Sequence, residues 1–177
     1  MELTETETDL KISWRAFELR PEPVELLDPH GDYLARVWRD HVYPLATKMN
    51  MPLKMPPVQP RSRLAHESAK WAEDHGRPGE YSLALFRAYF EHGQDIGDIQ
   101  VLLKLAVDMD LDPEDLAQAL DSHRFTGDVV GDEEESQRLG IRAVPSFVSD
   151  GQVLASGVQT ADRLRELLIS GPGISMF

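Results

Sequence analysis

Thiol chemistry is closed to these 177 residues, because none is cysteine. Disulfides, zinc–thiolate centres, iron–sulfur clusters and cysteine nucleophiles are excluded with it. The remaining candidates are acids, histidines and one proline segment. His66-Glu67 begins like a zincin helix, but Lys70 stands where the second histidine belongs. Asp108-Met109-Asp110-Leu111-Asp112 begins like a calcium loop. Its sixth position is Pro113 where glycine is needed, and its twelfth is Ala119 where a bidentate Glu is needed. These acids read instead as the start of a helix. Asp95 and Asp98 are three apart, a spacing that acid–base pairs use, yet Asp98 is explained as a helix N-cap. Asp132-Glu133-Glu134-Glu135 reads as a solvated helix start. No glycine-rich phosphate loop, serine elbow or kinase signature is present. The six histidines include no i, i+4 pair, so no metal site and no cofactor is called for, and no residue is assigned as catalytic. His66 stands out among them because its helix follows a proline- and methionine-rich stretch.

Gly140-Ile141-Arg142-Ala143-Val144-Pro145-Ser146-Phe147-Val148 is the most distinctive local feature. A helix ends in glycine, and a loop enters a strand through an X-Pro bond. Proline cannot donate to a ladder, so its place at a strand start needs a reason. A cis Val144–Pro145 bond, affordable only before proline, supplies one and turns the Val144 backbone toward an extended ligand. An ordinary trans proline at a strand start fits the same residues. Val144, Pro145 and His66 are the candidate substrate-binding residues.

These residues need a scaffold. The chain is 41% apolar and 28% charged, with 12 Gly and 12 Pro, which is globular composition at single-domain length. Acids outnumber bases 31 to 18, and the net charge of −13 repels phosphate backbones and anionic lipid. Nucleic acid and membrane surfaces are therefore not expected partners. No stretch reaches the ~20 apolar residues of a membrane span. The N-terminus is acidic and lacks the basic start and apolar run of a signal peptide, so a cytoplasmic protein is expected. Alternation over Leu10–Leu19 predicts a strand, closed by Pro21 and Pro23. Asp32 to about Tyr43 predicts a helix, and the five prolines of 44–60 predict a loop or a methionine-lined flap. Helices are predicted from Arg63, Tyr81, Asp98, Asp112 and Gly131 onward. Asp150-Gly151 is a hairpin signal between two strands, and Thr160 caps a last helix that Gly171-Pro172-Gly173 ends. A buried cluster of Leu64, Leu85, Phe86, Tyr89, Leu102, Leu105, Leu116 and Leu120 is expected from the apolar stripes.

The Gly140–Val148 segment resembles the cis-proline segment of thioredoxin-like proteins. Trp14-Arg15-x-Phe17-Glu18-Leu19, Arg63-Leu64-Ala65-His66 with Trp71-Ala72, and Leu85 to Phe90 followed by Asp95-Ile96-Gly97-Asp98 extend the likeness. With Ser156-Gly157-Val158-Gln159, they resemble the DsbA-like branch that includes FrnE and the 2-hydroxychromene-2-carboxylate isomerases. The likeness runs over roughly residues 10–169. It implies an α/β, incomplete thioredoxin-like fold with an inserted all-helical domain. Residues 10–20 and 129–170 form the thioredoxin-like part, 61–128 the insertion, 21–60 the connection, and 1–9 and 171–177 flexible ends.

Relatives of this kind begin with a strand and a Cys-x-x-Cys helix start, which this sequence does not contain. The resemblance therefore implies an oxidoreductase homologue that is redox-inactive as given, from a truncated chain. A non-catalytic peptide- or protein-binding protein is one alternative, and an isomerase or glutathione-dependent transferase relative is another. The complete family form implies a peptide or protein thiol substrate. Without the first strand, an open slot is expected between the Trp14 strand and the Ser146 strand, to be closed by a strand shift or by a homodimer.

Overall fold

The structure is a computed structural model, and it describes residues 12–168 and 174–177. The chain divides into two compact units. One is helical and spans Glu18–Thr126. The other joins the described residues up to Phe17 with Gly127–Phe177 and carries the sheet. The sequence-based lead-in of 1–9 lies outside the described residues.

In the helical unit, α1 (Asp32–Val37) runs through a π turn (Trp38–Val42) into α2 (Tyr43–Lys48). The expected break before Pro44 does not occur. Pro44 sits in the first turn of α2, where a missing N–H is tolerated, and the wider π turn resets the hydrogen-bond register ahead of it. Helices α3 (Arg63–Asp74), α4 (Pro78–Phe90), α5 (Ile99–Asp108) and α6 (Pro113–Asp121) follow. Their starts are fixed locally. The Asp98 carboxylate accepts from the Gln100 amide at 2.9 Å, and that of Asp112 accepts from the Glu114 and Asp115 amides.

The core of α3–α6 joins Leu85, Leu102, Leu116 and Leu120 with Ala65, Trp71, Tyr81 and Phe125, and Leu64 and Leu105 pack against it. Phe86 does not belong to it and is 48% exposed. On α4 the inward residues are Tyr81, Ser82, Leu85 and Ala88. Small residues let neighbouring helices approach, and Phe86 falls one position out of phase. Tyr89 is half-buried, donating to the Val58 carbonyl and accepting from the Gln59 amide. Trp71 buries its ring and donates Nε1–H to Asp115 Oδ2 at 2.6 Å, and Tyr81 donates to the Leu102 carbonyl at 3.0 Å.

The sheet unit contains β1 (Ile12–Trp14), α7 (Thr126–Arg138), β2 (Ser146–Ser149), β3 (Gln152–Ser156), α8 (Ala161–Leu168) and β4 (Ile174–Met176). Sheet order is β1-β4-β2-β3. Asp150 and Gly151 both adopt positive φ in the β2–β3 turn, as a tight hairpin requires. The expected long first strand is reduced to Ile12–Trp14 among the described residues. The Arg15 amide still donates to the Met176 carbonyl at 2.7 Å, and Asp132 of α7 holds the chain just beyond, its Oδ1 accepting from Arg15 Nη1 and its Oδ2 from the Ala16 amide, both at 2.8 Å. Asp132 is 4% exposed, so the reading of 132–135 as a solvated helix start fails at its first residue. Helix α7 also begins earlier than expected, running through Gly127 and Gly131.

The expected loose tail at 171–177 is corrected at its end. Strand β4 lies between β1 and β2, parallel to the first (Ser13↔Ser175, Trp14↔Met176) and antiparallel to the second (Phe147↔Met176, Val148↔Ser175). The slot expected to stand open is filled. Unsatisfied ladder groups on both neighbours give four extended residues more to bond with than water-facing coil would.

Two measurements check this packing. In urea unfolding, Leu102→Ala is expected to cost about 2–5 kcal/mol, while Phe86→Ala costs about 1 kcal/mol or less. The second concerns alkali. Burial pushes the Tyr81 hydroxyl up to about 12, above its unfolded value of roughly 10. Its contribution is complete below about pH 10 and is lost as pH rises through 12. Wild type is therefore expected to lose more urea resistance than Tyr81→Phe between pH 9 and 11.

Candidate functional site

The candidate site is the entry to β2. Helix α7 ends at Arg138, and the chain passes through Ile141, buried with Val148 and Phe177. Val144 packs against this cluster, and the Val144–Pro145 peptide bond is cis. The surroundings hold this corner from three sides. Ser146 Oγ donates to the Ala143 carbonyl at 2.7 Å and lies 3.0 Å from Ser156 Oγ. The Pro145 carbonyl accepts from the Gly157 amide at 2.7 Å. The Ser146 amide and carbonyl exchange two 3.0 Å bonds with Phe177.

Gly157 is needed for that geometry. Its φ is +79°, in the left-handed region that L side chains rarely adopt. The Gln159 side chain then donates to the Ser156 and Gly157 carbonyls and fastens the turn. The Ser156–Gln159 motif thus braces Pro145 from the far strand of the hairpin.

The Ala143, Pro145 and Ser146 carbonyls and the Ser146 amide are thus engaged. Among the described residues, neither the N–H nor the C=O of Val144 has a backbone hydrogen bond. Val144 is half-buried and lies at the entry to β2. Little else there is reactive. All six histidines fall between His30 and His123, inside the helical unit, and the sheet unit has neither histidine nor cysteine. Ser146 has no base beside it, and its hydroxyl is spent on the Ala143 carbonyl. Among the described residues no group of three or more His, Asp or Glu is placed to hold a metal ion.

The three residues singled out from sequence are divided. Val144 and Pro145 are neighbours at this corner. His66 sits half-buried in the first turn of α3, its amide bonded to the Ser62 carbonyl, and belongs to the helical unit. Neither unit brings all three together. Sequence reasoning missed Asp132, which holds the strand end at Arg15–Ala16. Its signal was faint: the first acid of an acidic run takes the buried phase of its helix.

The DSBA-like thioredoxin domain family matches residues 1–169. The chain belongs to the DsbA-like thioredoxin family. It is 32% identical over 151 residues to the uncharacterized protein YwbO of Bacillus subtilis (strain 168), covering 82% of this chain and 75% of that one. Among solved structures it is similar to a probable DsbA oxidoreductase from Streptomyces coelicolor. That likeness has a TM-score of 0.71 and 23% identity, over 87% of this chain and 72% of the other, and it concerns the fold. The family's mixed α/β architecture with a helical block is the one described above. Among the described residues no helix is long and apolar enough to cross a membrane.

The brace at Gly157 gives a direct test. Gly157→Ala forces a side chain into the left-handed region and is expected to cost about 1–2 kcal/mol. Amide exchange in this variant is expected to rise at Ser146 and Gly157 while the amides of α5 and α6 stay protected.

Proposed function

We propose that these 177 residues act as a FrnE-like, DsbA-family binding domain, which takes extended peptide segments at Val144–Pro145 and performs no thiol–disulfide exchange itself. Thiol exchange needs a thiolate to attack a disulfide sulfur, and the chain supplies no thiol. The observation that carries the binding reading is the Val144 backbone, which has no backbone hydrogen bond among the described residues, beside the engaged Pro145 and Ser146. A single pair of backbone groups recognises an extended chain by adding one step of ladder, with pockets for alternate side chains supplying selectivity. The FrnE-like assignment is supported by the Trp14–Leu19, Leu85–Phe90 and Asp95–Asp98 motifs.

The sheet unit itself contains no histidine. His66 is accordingly left out of the binding role proposed for Val144 and Pro145.

The test is a titration of isotope-labelled protein with an unstructured cysteine-free peptide, alongside an insulin-reduction assay. Binding is expected to shift the Val144 and Ser146 amide resonances, with no acceleration of insulin reduction over dithiothreitol alone. Saturable binding that leaves Val144 unmoved would overturn the site. Disulfide turnover by the chain would overturn the redox-silent reading.

A further inference from the structure

We propose that Tyr43, Leu45, Met49 and Met51, with Lys48 and Lys54 among them, form a docking surface for an acidic amphipathic helix of a partner protein. The surface lies in the helical unit, apart from the residues of the Val144 corner. From Asp32 to Lys48 the chain is helical throughout, α1 passing through the π turn into α2. Of these residues only Leu34, Trp38 and Ala46 are buried, so a narrow stripe holds the rod to its unit and the rest meets water.

The exposed apolar residues are gathered by local bonds. The Met49 amide donates to the Leu45 carbonyl, so these two side chains stand one turn apart on one face. The Met51 amide folds back onto the Ala46 carbonyl at 2.9 Å. The Met55 amide donates to the Tyr43 hydroxyl at 3.3 Å, which brings the segment after α2 back along Tyr43. Beneath them Trp38 meets Tyr43 edge-on at 5.3 Å and Phe90 at 6.2 Å, and the Lys54 amide donates to the Phe90 carbonyl at 2.7 Å. Tyr43, Leu45, Met49 and Met51 each leave more than a third of their surface in water. Contiguous exposed apolar surface edged by charge marks an interaction site, and methionine suits an adaptable one.

Charge decides what docks. The chain has 31 acids for 18 bases, so a base seldom lacks an acid within reach. Elsewhere in the helical unit Lys70, Arg77, Lys104 and Arg124 are paired with Glu73, Glu80, Asp108 and Asp115. Lys48 and Lys54 have no ion pair among the described residues. Across residues 33–58, Arg36, Arg39, Lys48 and Lys54 stand against a single acid, Asp40, which Arg39 already holds at 2.7 Å. The surface is thus basic on a chain of net charge −13. At contact range its own cations set the field, because charges beyond about 8–10 Å are screened at physiological salt. A partner helix meets only this patch, laying an apolar stripe on the methionines and its carboxylates on the lysines. An anionic membrane or a nucleic acid presents charge to the whole chain and meets its acidic surplus.

The isotope-labelled full chain is titrated with a synthetic helix-forming peptide that carries Glu along one face and Leu and Phe along the other. Saturable binding is expected, with resonance shifts at Tyr43, Met49 and Met51 and none at Val144. Lys48→Glu with Lys54→Glu is expected to weaken binding about tenfold or more and to flatten its salt dependence. Met49→Ser with Met51→Ser is expected to weaken it by a similar factor, about tenfold, and to keep the salt dependence. Circular dichroism checks that both variants, changed only at exposed positions, keep the wild-type fold. Absence of binding overturns the proposal, as does binding that both double variants leave unchanged. Equal binding of the same peptide with Lys in place of Glu overturns it too, as do shifts at Val144 with none at Tyr43. Lysine-dependent binding to phosphatidylserine–phosphatidylcholine vesicles, with no binding of the peptide, overturns it in favour of a lipid surface.

Discussion

Two rows of backbone donors and acceptors, one on β1 and one on β2, face a single gap, and four residues at the end of the chain satisfy both. Unpaired buried amides and carbonyls each cost free energy comparable to a lost hydrogen bond. A sheet lacking its middle strand would carry that cost on both sides. Filling the gap also closes the apolar layers: Phe177 completes the cluster with Ile141 and Val148, and Met176 lies against the Phe147–Leu164 pair. The central strand is thus held by ladder and packing together, and the corner at Pro145 is set by the same residues that hold it.

A carboxylate does comparable work at the other wall. Asp132 is withdrawn from solvent, yet both of its oxygens are engaged, one by a guanidinium and one by a backbone amide. A buried carboxylate is tolerated only with such pairing, and an Arg partner with its own exposed surface lowers the desolvation cost. The arrangement ties the chain just past β1, at Arg15 and Ala16, to α7. In the helical unit Asp115 has a similar place. The Trp71 indole, then Arg124, hold its carboxyl below the usual range, so a charged group accepts the polar tip of the largest core side chain.

What could be read from sequence was local. Asp98 and Asp112 cap helices through their own next amides, and Asp150-Gly151 fixes its own turn, so a window of four residues contains the whole cause. Pro44 misled because its effect depends on the hydrogen-bond register of the residues before it, which a π turn had already changed. Phe86 misled because the apolar stripe of its helix was taken to include it, whereas the buried face runs through Tyr81, Ser82, Leu85 and Ala88. Strand β4 was invisible for a stronger reason. Ile174–Met176 has no pattern of its own, and its conformation is imposed by walls more than twenty-five residues and a hundred and fifty residues away. At the candidate site the X-Pro bond was legible, and the Ser156–Gln159 motif stood out only through the likeness to a family, while the bond from the Gly157 amide to the Pro145 carbonyl joins residues twelve apart and left no local signal.

The division of chemistry between the units bears on what the Val144 corner can select. The histidines all fall in the helical unit, and the chain has no thiol. A backbone pair is blind to sequence, since every residue but proline offers the same N–H and C=O. Selectivity on the proposed reading must then come from shape at the Ile141–Val148–Phe177 cluster and from the field of the whole chain. A net charge of −13 disfavours acidic segments and speeds the approach of basic ones, an effect that salt weakens as the Debye length shrinks. Backbone pairing gives the affinity its direction, and charge decides which extended chains arrive.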